Sequence, residues 1–123
     1  MSSLASLELD RHDWNQLQVM GDRSDRVPGS LRGLVFAMDE DEATLYYWEL
    51  ENTVVVQGQL FEAAPAVVSV LLAALAEGVS SEAIGWVLEL LFQLVSGDSD
   101  VEAVERGNGS LGDACRNKAR EGL

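Results

Sequence analysis

Gln57-Gly58-Gln59-Leu60-Phe61-Glu62-Ala63-Ala64-Pro65-Ala66-Val67-Val68 is the stretch on which the reading of this chain turns. It reads as a helix end, a Gly stop, a short turn and a helix start with Pro in its first turn, where the missing N–H costs nothing. An almost wholly apolar helix follows. Such a joint suits helices stacked in antiparallel pairs. The stretch holds no nucleophile, no set of metal ligands and no phosphate-binding loop, so function has to be read elsewhere.

Working outward, the helix after the joint is expected from about Phe61 to Ala76. Between Ala63 and Ala76 its only polar side chain is Ser69, and a helix apolar all round belongs in the middle of a stack. Glu77-Gly78 closes it. Ser80 then caps a helix over Ser81–Ser96, whose wet stripe is Glu82, Gly85, Glu89 and Gln93 at helical spacing. The remaining residues, among them Ile84, Leu88 and Phe92, are expected to face core or a neighbour.

Before the joint, Asp39-Glu40-Asp41-Glu42 places four acids at a helix N-terminus, where free N–H groups and the dipole favour them. That helix is expected to run to about Val56. Val54-Val55-Val56 would also suit a strand, but nothing nearby alternates at period two to pair with it, so helix is preferred. Further back, Val27, Leu31, Leu34, Val35 and Met38 form one stripe on a helix starting near Arg26, with Pro28 in its first turn. A short amphipathic piece from Asp13 carries Trp14, Leu17 and Met20 and stops at Gly21. Residues 1–12 read as an N-terminal arm or short helix. Residues 97–112, rich in Gly, Ser and Asp, read as a mobile loop. A last helix, Leu111 to about Arg120, carries Ala114, Cys115 and Ala119 with little apolar surface to dock, as if a further helix were missing.

These elements predict one all-α domain over residues 1–123. Its 21 acidic and 8 basic residues give a formal net charge of −13, with acids in both halves. A field of that sign repels nucleic acid and anionic membrane and speeds capture of basic partners. Plain solubility explains the same charge. The one cysteine allows no internal disulfide and fits a reducing cytoplasm. No signal peptide is read, and the apolar runs are too short to span a bilayer.

Trp14…Leu17…Gly21…Val27-Pro28…Leu31…Leu34, then Gln57-Gly58…Ala64-Pro65-Ala66-Val67-Val68…Leu71-Leu72, then Leu88-Glu89-Leu90-Leu91, resembles HEAT-like helical repeat proteins common in actinobacteria. The likeness covers roughly residues 13–95 and, more faintly, Ala114-Cys115-Arg116. It departs at Leu60-Phe61, where a Tyr is common, and at its end, where such proteins usually continue. The resemblance implies an α-solenoid fragment of about five helices in antiparallel pairs. Members often look like immunity proteins, which bind and block a toxin encoded beside them.

Chemistry is thin. His12 between Asp10 and Asp13 is the only imidazole, one ligand where a metal site needs several. Cys115 beside Arg116 and near Lys118 has neighbours that lower a thiol pKa, but no histidine to pair with. Asp39–Glu42 lacks the spacing and central Gly of a calcium loop. The expectation is a non-enzymatic protein-binding module without cofactor or metal, partnered with a basic toxin domain rather than nucleic acid or membrane. The contact residues expected are Asp39, Glu40, Asp41, Glu42 and Tyr46, with Glu82 and Glu89 behind them. The alternative is a scaffold or regulatory subunit of a larger assembly. A small hydrolase would need a cleft with a carboxylate of raised pKa.

Overall fold

A computed structural model describes residues 4–17, 26–51, 53–56, 59–60, 63–99 and 111–122. The described residues are all-α in class. The helices are α1 (Leu4–Arg11), α2 (Val27–Val35), α3 (Glu40–Glu51), α4 (Ala64–Glu77), α5 (Ser81–Ser96) and α6 (Leu111–Gly122), with a 3-10 turn at Trp14–Gln16. Three two-residue strands accompany them: β1 (Val55–Val56), β2 (Gln59–Leu60) and β3 (Asp98–Ser99).

Helix α4 is the hub. Pro65 sits in its first turn, and Ala64, Ala66, Val67, Val68, Val70, Leu71 and Ala74 are buried. It packs against α1, α2, α5 and α6, which is why nearly every side of it is apolar. Gly78 ends it at φ 101, a conformation that L side chains rarely adopt, with its N–H on Ala74 O at 2.9 Å. From the end of α4, Glu77 Oε1 accepts the backbone N–H of Ala5 at 3.2 Å, satisfying one orphan donor of α1. Ser80 does two jobs at the start of α5. Its Oγ accepts from Ala83 N at 3.1 Å as the N-cap, and its hydroxyl donates to Ala37 O at 2.6 Å, tying α5 to the end of α2.

Several expectations need correction. The helix expected to reach Val56 ends at Glu51, and Val55–Val56 is a strand. Its partners are Leu60 and Gln59, antiparallel, and that second strand pairs parallel with Asp98–Ser99. Branching at Cβ makes Val stiff and suits it to extended backbone, and Val54, Val55 and Leu60 are buried there. The expected Gly58 stop and the first turn at Phe61 and Glu62 lie outside the described residues, and α4 begins at Ala64. Met38 leaves the α2 stripe because α2 ends at Val35, and its side chain is exposed. The N-terminal segment is a helix with Ala5 and Leu9 buried. Of the expected mobile loop, residues 100–110 lie outside the described residues, as do Met20 and Gly21.

The last helix does dock. Leu111, Cys115 and Ala119, spaced four apart, are buried where α6 meets α4 and α5. Arg116 reaches back to the end of α5. Its Nη1 donates to Val95 O at 3.2 Å and its Nη2 meets Asp113 Oδ1 at 2.8 Å. A guanidinium at a helix C-terminus satisfies orphan carbonyls and complements the dipole.

Ile84, Leu88 and Phe92, expected to face core or a neighbour, are exposed on α5. They follow one another at i, i+4 and i+8, a separate stripe from the buried Ala83, Val87, Leu90, Leu91 and Leu94.

Truncation separates the two stripes. Leu90→Ala in α5 removes a fully buried side chain and is expected to cost about 2–5 kcal/mol in urea denaturation. Leu88→Ala is expected to stay within about 0.5 kcal/mol of the parent. Equal losses would mean that the outer face of α5 is covered.

Candidate functional site

A groove lies between α3 and α5, with a volume of about 660 Å³. That is the size range of ordinary ligand sites. Glu40, Tyr47 and Trp48 supply its α3 side. Ser81, Glu82, Gly85, Trp86 and Glu89 supply its α5 side. Every charged side chain lining it is a glutamate, and among the described residues none of its lining is basic.

The helical period explains the assembly. Glu40, Tyr47 and Trp48 stand at i, i+7 and i+8 on α3. Glu82, Gly85, Trp86 and Glu89 stand at i, i+3, i+4 and i+7 on α5. Of the polar stripe expected on α5, Glu82, Gly85 and Glu89 line the groove. Gly85 is open, with nothing beyond its chain neighbours and its own helix backbone within 4 Å of where a Cβ would stand, so the wall is notched there.

Three aromatic rings form a continuous row. Tyr47 meets Trp48 edge-on at 5.1 Å between centroids and Trp86 tilted by 41° at 4.8 Å. Tyr47 is buried, Trp86 half-buried, and Trp48 is 49% exposed. The buried ring is thus the middle one, with a more exposed indole on either side. Burial pushes the Tyr47 phenol above 10.0, and the carboxylates of Glu89 and Glu51 push it the same way. The phenol thus stays neutral in a setting that is both desolvated and negative.

The expected contact residues divide. Glu40, Glu82 and Glu89 come together in the groove. Asp39, Asp41 and Glu42 are exposed at the start of α3. Asp39 also caps that helix, its Oδ1 accepting Glu42 N at 2.8 Å. Tyr46 is half-buried on the other flank of α3, turned to α2. A Cβ on Gly33 would lie 2.5 Å from the Tyr46 ring, so the bare glycine makes room for it. Beside it, Ser30 Oγ donates to Glu49 Oε2 at 2.7 Å, joining α2 and α3. The exposed aromatic of α3 is Trp48.

The remaining chemical candidates are quiet. His12 Nε2 lies 3.4 Å from Glu8 Oε2, and its ring meets Trp14 edge-on at 5.4 Å. Among the described residues no group of three or more His, Cys, Asp or Glu is placed to hold a metal ion. Cys115 is buried against α4 and α5, and burial outweighs its basic neighbours. Burial pushes its thiol up from 9.0 to about 12, and Arg116 offsets this only in part. Among the described residues no helix is long and apolar enough to cross a membrane.

Comparison with protein-family models, curated proteins and solved structures gives no match.

Cys115 and Tyr47 are acids whose folded pKa is raised, so each stabilises the fold fully below its unfolded value and ceases to as pH rises through the folded one. Stability is expected to decline between about pH 9 and 12 from Cys115, and above 10.0 from Tyr47. Chemical denaturation across that range is expected to show a shallower decline in Cys115→Ala and in Tyr47→Phe. The Cys115 thiol is expected to resist Ellman's reagent in the folded chain and to react once unfolded. Rapid reaction of the folded chain would contradict its burial.

Proposed function

We propose that this protein is a non-catalytic protein-binding module that captures a basic partner on the acidic face shared by α3 and α5. The partner class we favour is a toxin domain, blocked as an immunity protein blocks its cognate toxin. The observation that carries the reading is the groove itself. It gathers Glu40, Glu82 and Glu89 from two helices around an aromatic row, next to the exposed Asp39, Asp41 and Glu42. Within a chain of net charge −13, that face would speed encounter with a cationic surface. Trp48 and Trp86 would supply the apolar anchoring that charge alone does not. On this reading the helix pairs α2–α3 and α4–α5 form a HEAT-like stack, with the groove running between second helices of successive pairs. The place of action is the cytoplasm.

A scaffold or regulatory subunit is the second reading. The exposed stripe Ile84, Leu88 and Phe92 favours it, because an apolar row on one helix suits a lasting partner more than a rapidly captured one.

Capture of a catalytically inactive product of a neighbouring toxin gene separates the two. The binding-module reading expects capture at low salt that weakens as salt rises. It expects association about tenfold slower, or more, for Asp41→Lys combined with Glu42→Lys, which leaves the Asp39 cap in place. Capture insensitive both to salt and to those reversals would sink the electrostatic account. Loss of capture on Leu88→Lys alone would favour the scaffold.

A further inference from the structure

We propose that the groove between α3 and α5 is a receptor for an arginine side chain projecting from the protein partner. The inference rests on the binding-module reading and goes further by naming what the groove takes. Two independent properties point to the same occupant. The first is the ring row. Tyr47 and Trp86 lie 4.8 Å apart at 41°, and Tyr47 and Trp48 5.1 Å apart, edge-on. Indole faces attract cations through their quadrupole, and a planar guanidinium can stack on them. The second is the carboxylate set. Glu82 and Glu89 line the groove two turns apart on α5, and Glu40 lines it from α3. They supply hydrogen-bond acceptors on both walls.

The combination discriminates among cations. A quaternary ammonium would use the rings and leave the carboxylates without a donor. A lysine ammonium would pair with one carboxylate as a strongly hydrated point charge. A guanidinium presents five N–H donors in a plane, so it can stack and hydrogen-bond at once. Among the described residues, no basic side chain lines the groove. Glu89 Oε1 accepts only a weak bond from Gln93 Nε2 at 3.3 Å, which a guanidinium can displace. The notch at Gly85 keeps the α5 wall open to a side chain entering between Glu82 and Glu89.

The test is a titration of the full chain with three blocked Gly-Ser nonapeptides carrying three arginines, three lysines or three citrullines. The indole N–H signals are followed by NMR. Trp14, buried with its Nε1 on Leu9 O at 2.8 Å, serves as the internal reference. The arginine peptide is expected to shift Trp48 and Trp86 and leave Trp14 unmoved. The lysine peptide is expected to bind several-fold more weakly and the citrulline peptide not at all. Glu82→Gln with Glu89→Gln exchanges two exposed side chains and is expected to weaken the arginine peptide about tenfold or more. Trp48→Leu is expected to weaken it about threefold. Equal binding of lysine and arginine peptides, or no shift of Trp48 and Trp86, would overturn the proposal. So would arginine binding that survives the Glu82/Glu89 variant. If that variant keeps the arginine peptide while Asp41→Lys with Glu42→Lys loses the captured toxin domain, the acidic-face reading stands and the groove falls. If both sets of variants leave their ligands bound, the two fall together.

Discussion

Enclosure of α4 is the constraint from which the rest of the arrangement follows. A helix with Ala, Val and Leu around most of its circumference has no face it can leave in water. Burying a single Val or Leu side chain is worth about 1.5–3 kcal/mol, and seven residues of α4 are buried. Four helices close around it: α1, α2, α5 and α6. That uses the inner side of each. Helix α3 is left outside this ring, held by α2 and α5. An outer helix leaning on one flank of α5 creates the groove, and the polar stripe of α5 becomes its wall.

The same geometry explains why charge and aromatic surface coincide. The flank of α3 nearest α5 must be apolar close to the core and may be polar away from it. Tyr47 fills the inner part and Trp48 the outer, with Glu40 about two turns before them. On α5, Trp86 covers the junction with the core, and Glu82 and Glu89 stand outside it. The rings rest on one another, so their orientation is fixed by packing rather than by any ligand. A site whose rings are already in place loses little conformational entropy when occupied.

Much of this was legible in the sequence where a local rule and the tertiary demand agree. Pro65 and Gly78 bracket α4, Ser80 caps α5, Asp39 caps α3, and Val27-Pro28 opens α2, each for a local reason. The end of α3 was not legible. The strand at Val55–Val56 depends on Gln59–Leu60 and, through it, on Asp98–Ser99, about forty residues further on. Two-residue strands are too short to display a period of two. The exposure of Ile84, Leu88 and Phe92 was missed for a related reason, since apolar character does not reveal whether a neighbour arrives to cover it. At the site, the three glutamates were readable from charge and spacing. Tyr46, the aromatic favoured for contact, does not line the groove. Tyr46 packs against α2 because Gly33 offers no side chain, and a glycine inside an otherwise regular helix was the available sign. Trp86, adjacent to the wet stripe on its own helix, was the residue that spacing could have added.

The claim most open to direct measurement is that one face of the molecule, α3 with α5, meets the partner. Hydrogen exchange of the chain, free and in complex with a captured partner, reads that face by segment. The account predicts slower exchange in the first turns of α3 and α5, Glu40–Ala43 and Ser81–Ile84, with α1 and α6 unchanged. Protection confined to α1 or α6, with both first turns exchanging as in the free chain, would contradict it.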